Sequence, residues 1–206
     1  MTPSDNPFLI KSEIGTKIIH KTPTKWVIDV DENGVFIADF LQTNTNLEVL
    51  VSLSGLHSKC VINSIYLCNE NNNININIKV LHKSEQTTSF QQIRGIAADN
   101  AHVSFCGTIT IPYDSQKCDG HQNHRGIVLS DTAKISATPE LEIWADDVKC
   151  AHGSAIGPLD KNQIFYMQTR GISEQDAKKI LLSSFFNGIL SSDFDEYIQD
   201  WVKKYV

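Results

Sequence analysis

The stretch NININIKV, residues 73–80, restricts the fold of this chain more than any other part of the sequence. Its isoleucines and valine alternate with asparagine and lysine, at positions Ile74, Ile76, Ile78 and Val80. Successive side chains of a strand point to opposite faces, so this period of two predicts a strand with one buried face. Similar short runs fill residues 25–144, namely WVIDV, VFIADF, LEVLVSL, VINSIYL, HVSF and TITI.

Turn residues separate these runs at short intervals, and helical spacing hardly appears before residue 158. The sequence therefore predicts a mainly β protein made of many short strands. A sandwich, a barrel and a β-helix all fit this pattern. Abundant asparagine favours the β-helix, because asparagines can stack and hydrogen-bond along successive coils. No fixed repeat length is visible, so periodicity alone does not choose among the three.

Helix signals begin at Gly157-Pro158. Asp160 is the predicted N-cap of a short helix over 162–170, and Gly171 would follow its end. Ser173 is the predicted cap of a second helix over 173–190. These signals divide the chain into a short N-terminal arm at 1–24, a β body at 25–157 and a helical C-terminal subdomain at 158–206.

The last segment, 193–206, predicts an amphipathic helix with early acids and late lysines, as the helix dipole favours. Such an apolar stripe usually packs on its own domain. A helix pair projecting from a β body has little core to cover, however, and Phe, Tyr and Trp are typical interface anchors. The predicted partner-binding residues are Phe185, Phe194, Tyr197, Ile198 and Trp201.

Composition excludes several classes of protein. A net charge of −6 over 206 residues argues against nucleic acid as a partner, since phosphate binding needs surplus lysine and arginine. No window approaches the roughly 20 apolar residues of a membrane span, and the first residues do not resemble a signal peptide. Five scattered cysteines without a C-x-x-C motif indicate a reducing, cytoplasmic location.

Cys150 and His152 are two residues apart, so in a strand both would lie on one face. Thiolate and imidazole are good metal ligands, but two ligands are only half of a tetrahedral site. Three interpretations remain open from the residues alone. The pair could belong to a metal or redox site, could be a packed cysteine beside a histidine with one hydrogen bond, or could be a Cys-His hydrolase pair, for which no local signature occurs.

Two further histidines, His121 and His124, follow Cys118 in the segment DGHQNHRG. A metal site is conceivable there, but the Asp-Gly and asparagine context favours a solvated turn. No glycine loop of the kind that cradles phosphates occurs, so we expect no nucleotide binding by the chain itself.

A longer segment, PELEIWADDVKCAHGSAIGPLDKNQIFYMQTRGISEQDA, resembles the SufB/SufD family of iron–sulfur cluster assembly proteins. The matching elements are P-x-LEI-x-ADDVKC, the following HG, G-x-LD, Q-IFY and RGI-x-x-x-DA. RGIAADNAHVSFCGTITI and QKCDGHQNHRGIVLSD also fit the family pattern. The resemblance runs from about residue 94 to 189.

The resemblance implies a right-handed parallel β-helix with a C-terminal helical subdomain. It implies a non-catalytic scaffold subunit that pairs with a SufB-like subunit and docks the SufC ATPase, an ABC-type protein, through its helical tail. A homodimer is a further possibility. No permanently bound cofactor is expected, only a nascent iron–sulfur cluster at the contact between subunits.

SufB-like members of the family carry Glu-His-Glu where this chain has Ala151-His152-Gly153, which indicates the SufD branch. His152 matches the histidine implicated there in building the cluster, and Cys150 matches the adjacent cysteine, a weaker candidate. Family members also have an N-terminal helical region, in place of which this sequence shows a short arm.

The alternative function is that of a β-helix carbohydrate-active enzyme or carbohydrate-binding protein. Such an enzyme would need paired carboxylates in a groove. Asp146 and Asp147 are adjacent in sequence and would point in opposite directions, so they make a poor pair.

Overall fold

A computed structural model describes residues 8–205 of the chain. This part begins with ten strands: β1 Phe8–Lys21, β2 Lys25–Thr43, β3 Leu47–Leu53, β4 Lys59–Cys68, β5 Asn73–His82, β6 Thr88–Ala97, β7 His102–Ile111, β8 Asp119–Val128, β9 Lys134–Ile143 and β10 Lys149–Gly157. The helical part follows: α1 Lys161–Gln168, α2 Glu174–Phe186, a 3-10 turn Ser192–Phe194 and α3 Asp195–Tyr205.

The strands form two parallel stacks. One stack contains β2, β4, β6, β8 and β10, and the other continues from β2 through β3, β5, β7 and β9. Each coil of the chain thus contributes one strand to each stack, and the result is a β-solenoid of about four turns followed by three helices. The predicted mainly β fold, a parallel β-helix with C-terminal helices, is confirmed, while its right-handed sense stays a prediction.

Two pairs of predicted strands are continuous in the structure. WVIDV and VFIADF both belong to β2, whose first part pairs with β3 and whose second part pairs with β4. The intervening Asp-Glu-Asn-Gly segment is a corner inside the strand, where Asn33 has a φ of 54°. HVSF and TITI likewise merge into β7.

Unequal coil lengths explain why no repeat was visible in the sequence. Contacts between residues on neighbouring coils span 24 residues for Asp39 and Asn63, 29 for Glu70 and Asp99, and 31 for Gln91 and Gln122. The strands keep a constant register, and the differences are absorbed in the corners. A search for a fixed period fails on such a chain.

The corners rely on left-handed backbone conformations at residues other than glycine. These residues are Asn33, Asn44, His57, Glu70, Gln86, Asp99 and Lys117, with φ between 53° and 60°. Asparagines also bond between coils at these corners: Asn44 Nδ2 donates to Asn69 Oδ1 at 2.8 Å, and Asn100 Nδ2 donates to Asn71 Oδ1 at 3.0 Å. The expected hydrogen bonding of asparagines between coils is therefore present at these two corners.

The interior of the solenoid is mainly apolar. The alternating residues of NININIKV that were predicted to be inside are buried: Ile74, Ile76, Ile78 and Val80. They belong to a core with the large side chains of Trp26, Phe36, Phe40, Tyr66 and Phe105.

The range predicted as a short N-terminal arm contains β1. This strand runs antiparallel along both parts of β2. Lys11 Nζ lies 2.7 Å from the buried carboxylate of Asp39, which also accepts a hydrogen bond from Ser191 N at 2.6 Å. Asp39 therefore links the first coil to both β1 and the helical subdomain.

Both predicted helix caps are present. Asp160 accepts a hydrogen bond from Asn162 N, and Ser173 accepts one from Asp176 N. The second helix ends at Phe186, four residues before the predicted end, because the chain turns at Gly188, where φ is 75°.

The helical subdomain packs on the side of the solenoid. Leu182, Phe186, Ile189 and the apolar stripe of α3 form one cluster with strand residues Leu41, Ile65, Leu67, Ile96 and Ala98. The helices therefore do have a core to cover, contrary to the assumption behind the docking prediction.

Three of the residues predicted to bind a partner, Phe194, Ile198 and Trp201, are at most 8% exposed in this cluster, and Phe185 and Tyr197 pack at its margin. The stripe is covered by the chain's own strands. Its role in docking an ATPase stays a prediction, one that would require this contact to open.

Candidate functional site

The candidate site lies on β10, the final strand of its stack. β10 pairs in parallel with β8, and within the described residues its other edge has no partner strand. Unpaired backbone groups along a sheet edge can pair with a strand of another chain. Both Cys150 and His152 belong to this strand.

The two candidate residues share one face of β10, as their spacing predicts. A Cβ built at Gly120 would lie 3.5 Å from Cys150 Sγ, and Ser154 Oγ lies 3.1 Å from Nδ1 of the buried His124. Cys150 and Ser154 therefore face the interior, and alternation puts His152 on the same face, opposite Gln122.

His152 is exposed although it is on the interior face, because no further coil among the described residues covers β10. Within residues 8–205 its ring has no hydrogen-bond or ion-pair partner. The backbone hydrogen bond that the packed alternative expects is not found among these residues, and the role of His152 stays a prediction. An imidazole without such partners can bind a metal or donate to an external group. The residue is therefore open to a neighbouring molecule.

Cys150 is half-buried and packs on a small apolar cluster with Ile109, Ile111, Cys118 and Ala145. Burial raises the pKa of its thiol, and a hydrogen bond from the Gly120 backbone opposes that change only in part. Since the thiolate is the form that binds metals and attacks electrophiles, Cys150 is poorly suited to either task in this structure.

A cleft of about 280 Å³ adjoins His152. The residues that line it include Phe90, Gln92, His121, Asn123, His152 and the small residues Ala151 and Gly153. The rings of Phe90 and His121 stack with centroids 5.3 Å apart, and His121 Nε2 lies 2.7 Å from Asp119 Oδ1. Because Ala151 and Gly153 are small, the surface of β10 is lower than the neighbouring surface formed by Phe90, His121 and the amide side chains.

DGHQNHRG is not a solvated turn, as its composition suggested, but most of strand β8. His121 lies on the outer face, while His124 is fully buried between Phe105 and Tyr66, with ring centroids 4.7 Å and 5.9 Å away. Cys118 is buried in the interior beside Thr87. Alternation along the strand separates the two histidines, so these three residues do not form a metal site.

His124 is a neutral core residue. Its Nε2 lies 2.9 Å from the Tyr66 hydroxyl, and burial lowers its pKa to about 4, with a smaller contribution from the charge of Arg94. His82 is similar: its nitrogens lie 2.7 Å from Thr87 Oγ1 and 2.9 Å from Ser89 Oγ, and burial lowers its pKa to about 4. Both histidines satisfy buried hydroxyls instead of offering a site.

No group of three or more His, Cys, Asp or Glu side chains in residues 8–205 could hold a metal ion. Any centre at His152 would need ligands from outside this part of the chain. Glu142, one of the described carboxylates, is not suited to be the general acid of a glycosidase. Glu142 is bound to Thr110 and Lys79, which lowers its pKa, whereas a general acid needs a raised one.

Two exposed apolar features were not predicted from the sequence. Phe165 and Tyr166 of α1 are 67% and 60% exposed, and Trp144, before β10, is 59% exposed. Trp144 follows Glu140 and Glu142 at intervals of two residues, so the alternation of a strand already predicted that it would point outward with them. For α1, no local sequence pattern signalled the exposure of Phe165 and Tyr166.

Fold and site together define a parallel β-solenoid protein with a helical tail and an accessible histidine on an unpaired final strand. A family model described as SUF system FeS cluster assembly, SufBD core domain, matches residues 34–185. The chain therefore belongs to the SufB/SufD family.

Individual relatives agree with the family. The chain is 31% identical over 162 residues to the iron–sulfur cluster assembly protein SufD of Escherichia coli, covering 79% of this chain and 37% of that protein. It is 38% identical over 95 residues to a SufBD family protein of Synechocystis, covering 46% and 21%. It is 29% identical over 146 residues to the chloroplastic protein ABCI7 of Arabidopsis thaliana, covering 70% and 31%.

The chain thus spans between about a fifth and two fifths of the length of these curated relatives. Among its described helices, none has the length and apolar character needed to cross a membrane.

Proposed function

We propose that this chain is a non-catalytic, SufD-like scaffold subunit that presents His152 to a nascent iron–sulfur cluster while a SufB-like subunit supplies the remaining ligands. Membership of the family and the likeness to SufD support the role. The observation that carries the assignment of His152 is its exposed ring on the last of the described strands, where no partner for it occurs within residues 8–205. The cluster is cargo in this proposal, and the reducing cytoplasm is the compartment that suits it.

The free edge of β10 supports pairing with a second solenoid. A partner strand added to this edge would place its side chains beside Cys150, His152 and Ser154, and its thiolates could complete the centre. A site shared between two subunits would explain why residues 8–205 supply so few of the ligands.

The tail is the proposed docking surface for a SufC-like ATPase. Because the stripe of α3 is covered by the strands, we assign the contact to the exposed residues Phe165, Tyr166 and Ile180 on α1 and α2. Phe165 and Tyr166 extend from α1, the helix that directly follows β10, and Ile180 extends from α2. An ATPase bound there could therefore act on the strand that carries His152.

Co-expression tests the assembly. The chain, tagged, is produced together with a SufB-like and a SufC-like protein and purified by its single tag. We expect all three proteins to elute together. A chain that elutes alone, or only as a homodimer, would contradict the proposed heteromeric scaffold.

Substitution of His152 tests the site. His152→Ala should leave the complex and its thermal unfolding unchanged, because the ring makes no hydrogen bond to residues 8–205, while the absorbance of the assembled cluster falls. His102→Ala is the matched control, since His102 is an exposed histidine on β7, in the other stack. Normal cluster formation by His152→Ala would show that the residue has no part in assembly.

A further inference from the structure

Two arginines occupy the same register position on neighbouring strands. Arg94 of β6 is paired with Arg125 of β8, and the next residue in this column is Ala155 of β10. Paired residues of adjacent strands lie about 5 Å apart, and like charges placed so are destabilising. The solenoid therefore holds two guanidinium groups together at a cost in stability.

Arg94 is held in place. Its Nη1 donates to Asn123 Oδ1 at 2.9 Å and to Ile93 O at 3.3 Å, and its guanidinium carbon lies 5.9 Å from the centre of the Phe185 ring. The side chain is half-buried between the sheet and α2. A guanidinium fixed in this way has donors in set positions before any ligand arrives.

The two charges lack a counter-ion within the part of the chain that the structure describes. No carboxylate there lies within 4.0 Å of either guanidinium, although the sequence contains 24 acidic residues. Arg125 is exposed, and its side chain makes no hydrogen bond to residues 8–205. The small side chain of Ala155 leaves space next to it on the open side of the column.

We propose that Arg94 and Arg125 form a binding site for an oxyanion, either a carboxylate or a phosphate group. Arg94 supplies fixed donors, and Arg125 closes on the ligand from the exposed side. Guanidinium groups match both anions because they donate two parallel hydrogen bonds. The site is separate from His152 and does not depend on the proposed role in cluster assembly.

Titration of the isolated chain tests the site. The side-chain Nε–H signals of Arg94 and Arg125 are followed by NMR while phosphate, acetate or chloride is added at constant ionic strength. We expect saturable shifts with phosphate or acetate and none with chloride. Saturation by one anion alone identifies the ligand group, whereas shifts that never saturate with either would overturn the proposal.

Variants separate a specific site from general attraction. Arg125→Gln should weaken binding roughly tenfold or more, as expected for loss of a charge-assisted bond. Lys149→Gln, which removes an exposed cation from the same stack, should bind like wild type. Equal losses in both variants would indicate general electrostatic attraction and contradict the assignment. In a chloride buffer without phosphate or carboxylate, Arg125→Gln should be at least as stable as wild type, because the repulsion is gone.

Discussion

The ring of Tyr66 fills the space that a side chain at Gly95 would need. The two residues are register partners on β4 and β6, and a Cβ built on Gly95 would lie 1.8 Å from Tyr66 Cζ. Tyr66 is fully buried and bonded to His124, so the ring cannot move aside freely. The glycine is what permits an aromatic ring to lie across the interior of the solenoid.

We expect Gly95→Ala to lower the free energy of unfolding by about 3 kcal/mol, the upper end of the usual cost of overpacking a core. Urea unfolding followed by tryptophan fluorescence measures it. Gly157→Ala is the control, since a Cβ there meets nothing within 4 Å, and it should change stability by less than about 0.5 kcal/mol. Equal effects of the two variants would contradict the packing account.

The buried histidines predict loss of stability in acid. In the folded chain His82 and His124 have pKa values of about 4, below the ordinary value near 6.5. As pH falls, the unfolded chain takes up these protons first. These histidines therefore do not lower the free energy of unfolding above pH 6.5. They lower it progressively between pH 6.5 and 4, by up to about 3 kcal/mol for each residue.

Unfolding in urea at pH 7.5 and pH 5.0 measures this dependence. The double variant His82→Gln with His124→Gln should be less stable at pH 7.5 but lose much less on acidification. His102→Gln, at an exposed position, should keep the dependence of the wild type. A double variant with an unchanged pH dependence would show that other groups cause the loss.

Lys117 predicts a stabilising substitution. Its φ of 59° is unfavourable for a residue with a Cβ, and its side chain is exposed. Lys117→Gly should raise the free energy of unfolding by about 0.5–1 kcal/mol, because relief of strain exceeds the added entropy of the unfolded chain. Lys83→Gly, at an exposed lysine outside the left-handed region, should be destabilising. If both variants lose stability, the corner at Lys117 is not strained.

The exposed face of α1 predicts a variant that affects binding alone. Combining Phe165→Ala and Tyr166→Ala should weaken the affinity for a SufC-like ATPase at least about tenfold, as loss of interface anchors does. Stability should not change, because α1 contributes no buried residue. Tyr113→Ala, equally exposed before β8, is the control for surface aromatics. If the affinity is unchanged, α1 is not the docking surface, and the apolar stripe of α3 is again the candidate.

The raised pKa of Cys150 predicts slow alkylation. Iodoacetamide should label this thiol more slowly than it labels glutathione at pH 7.5, since less of it is thiolate. Cys150→Ser identifies its share of the labelling by mass spectrometry. Labelling faster than that of glutathione would favour the Cys-His hydrolase interpretation.

The sequence was informative where a rule depends on neighbours in the chain. Alternation predicted the burial of Ile74 to Val80, and capping residues predicted the starts of α1 and α2. It was uninformative where distant segments meet. The cover over Trp201 comes from strands more than a hundred residues away, such as β4 and β6, and the turn predicted at His121 is a strand because β6 and β10 flank it.

For the candidate site, local spacing correctly placed Cys150 and His152 on one face. Spacing could not predict that His152 is more exposed than Cys150. That difference depends on the apolar cluster beneath Cys150 and on the lack, among the described residues, of a coil above His152. Arg94 and Arg125 were not noticed at all. They are 31 residues apart, and only the register of β6 with β8 brings them together.

Within the part of the chain that the structure describes, β10 has a free edge, so a strand of a second molecule can pair with it. The register of that pairing, and not the surroundings of His152 alone, would then decide which groups lie next to the imidazole. Side chains alternate along any added strand, so a slip of one residue would present the opposite set of groups to the imidazole. Backbone hydrogen bonds far from any metal could then select the correct partner. A partner paired in the wrong register would still bind, but no cluster would be assembled.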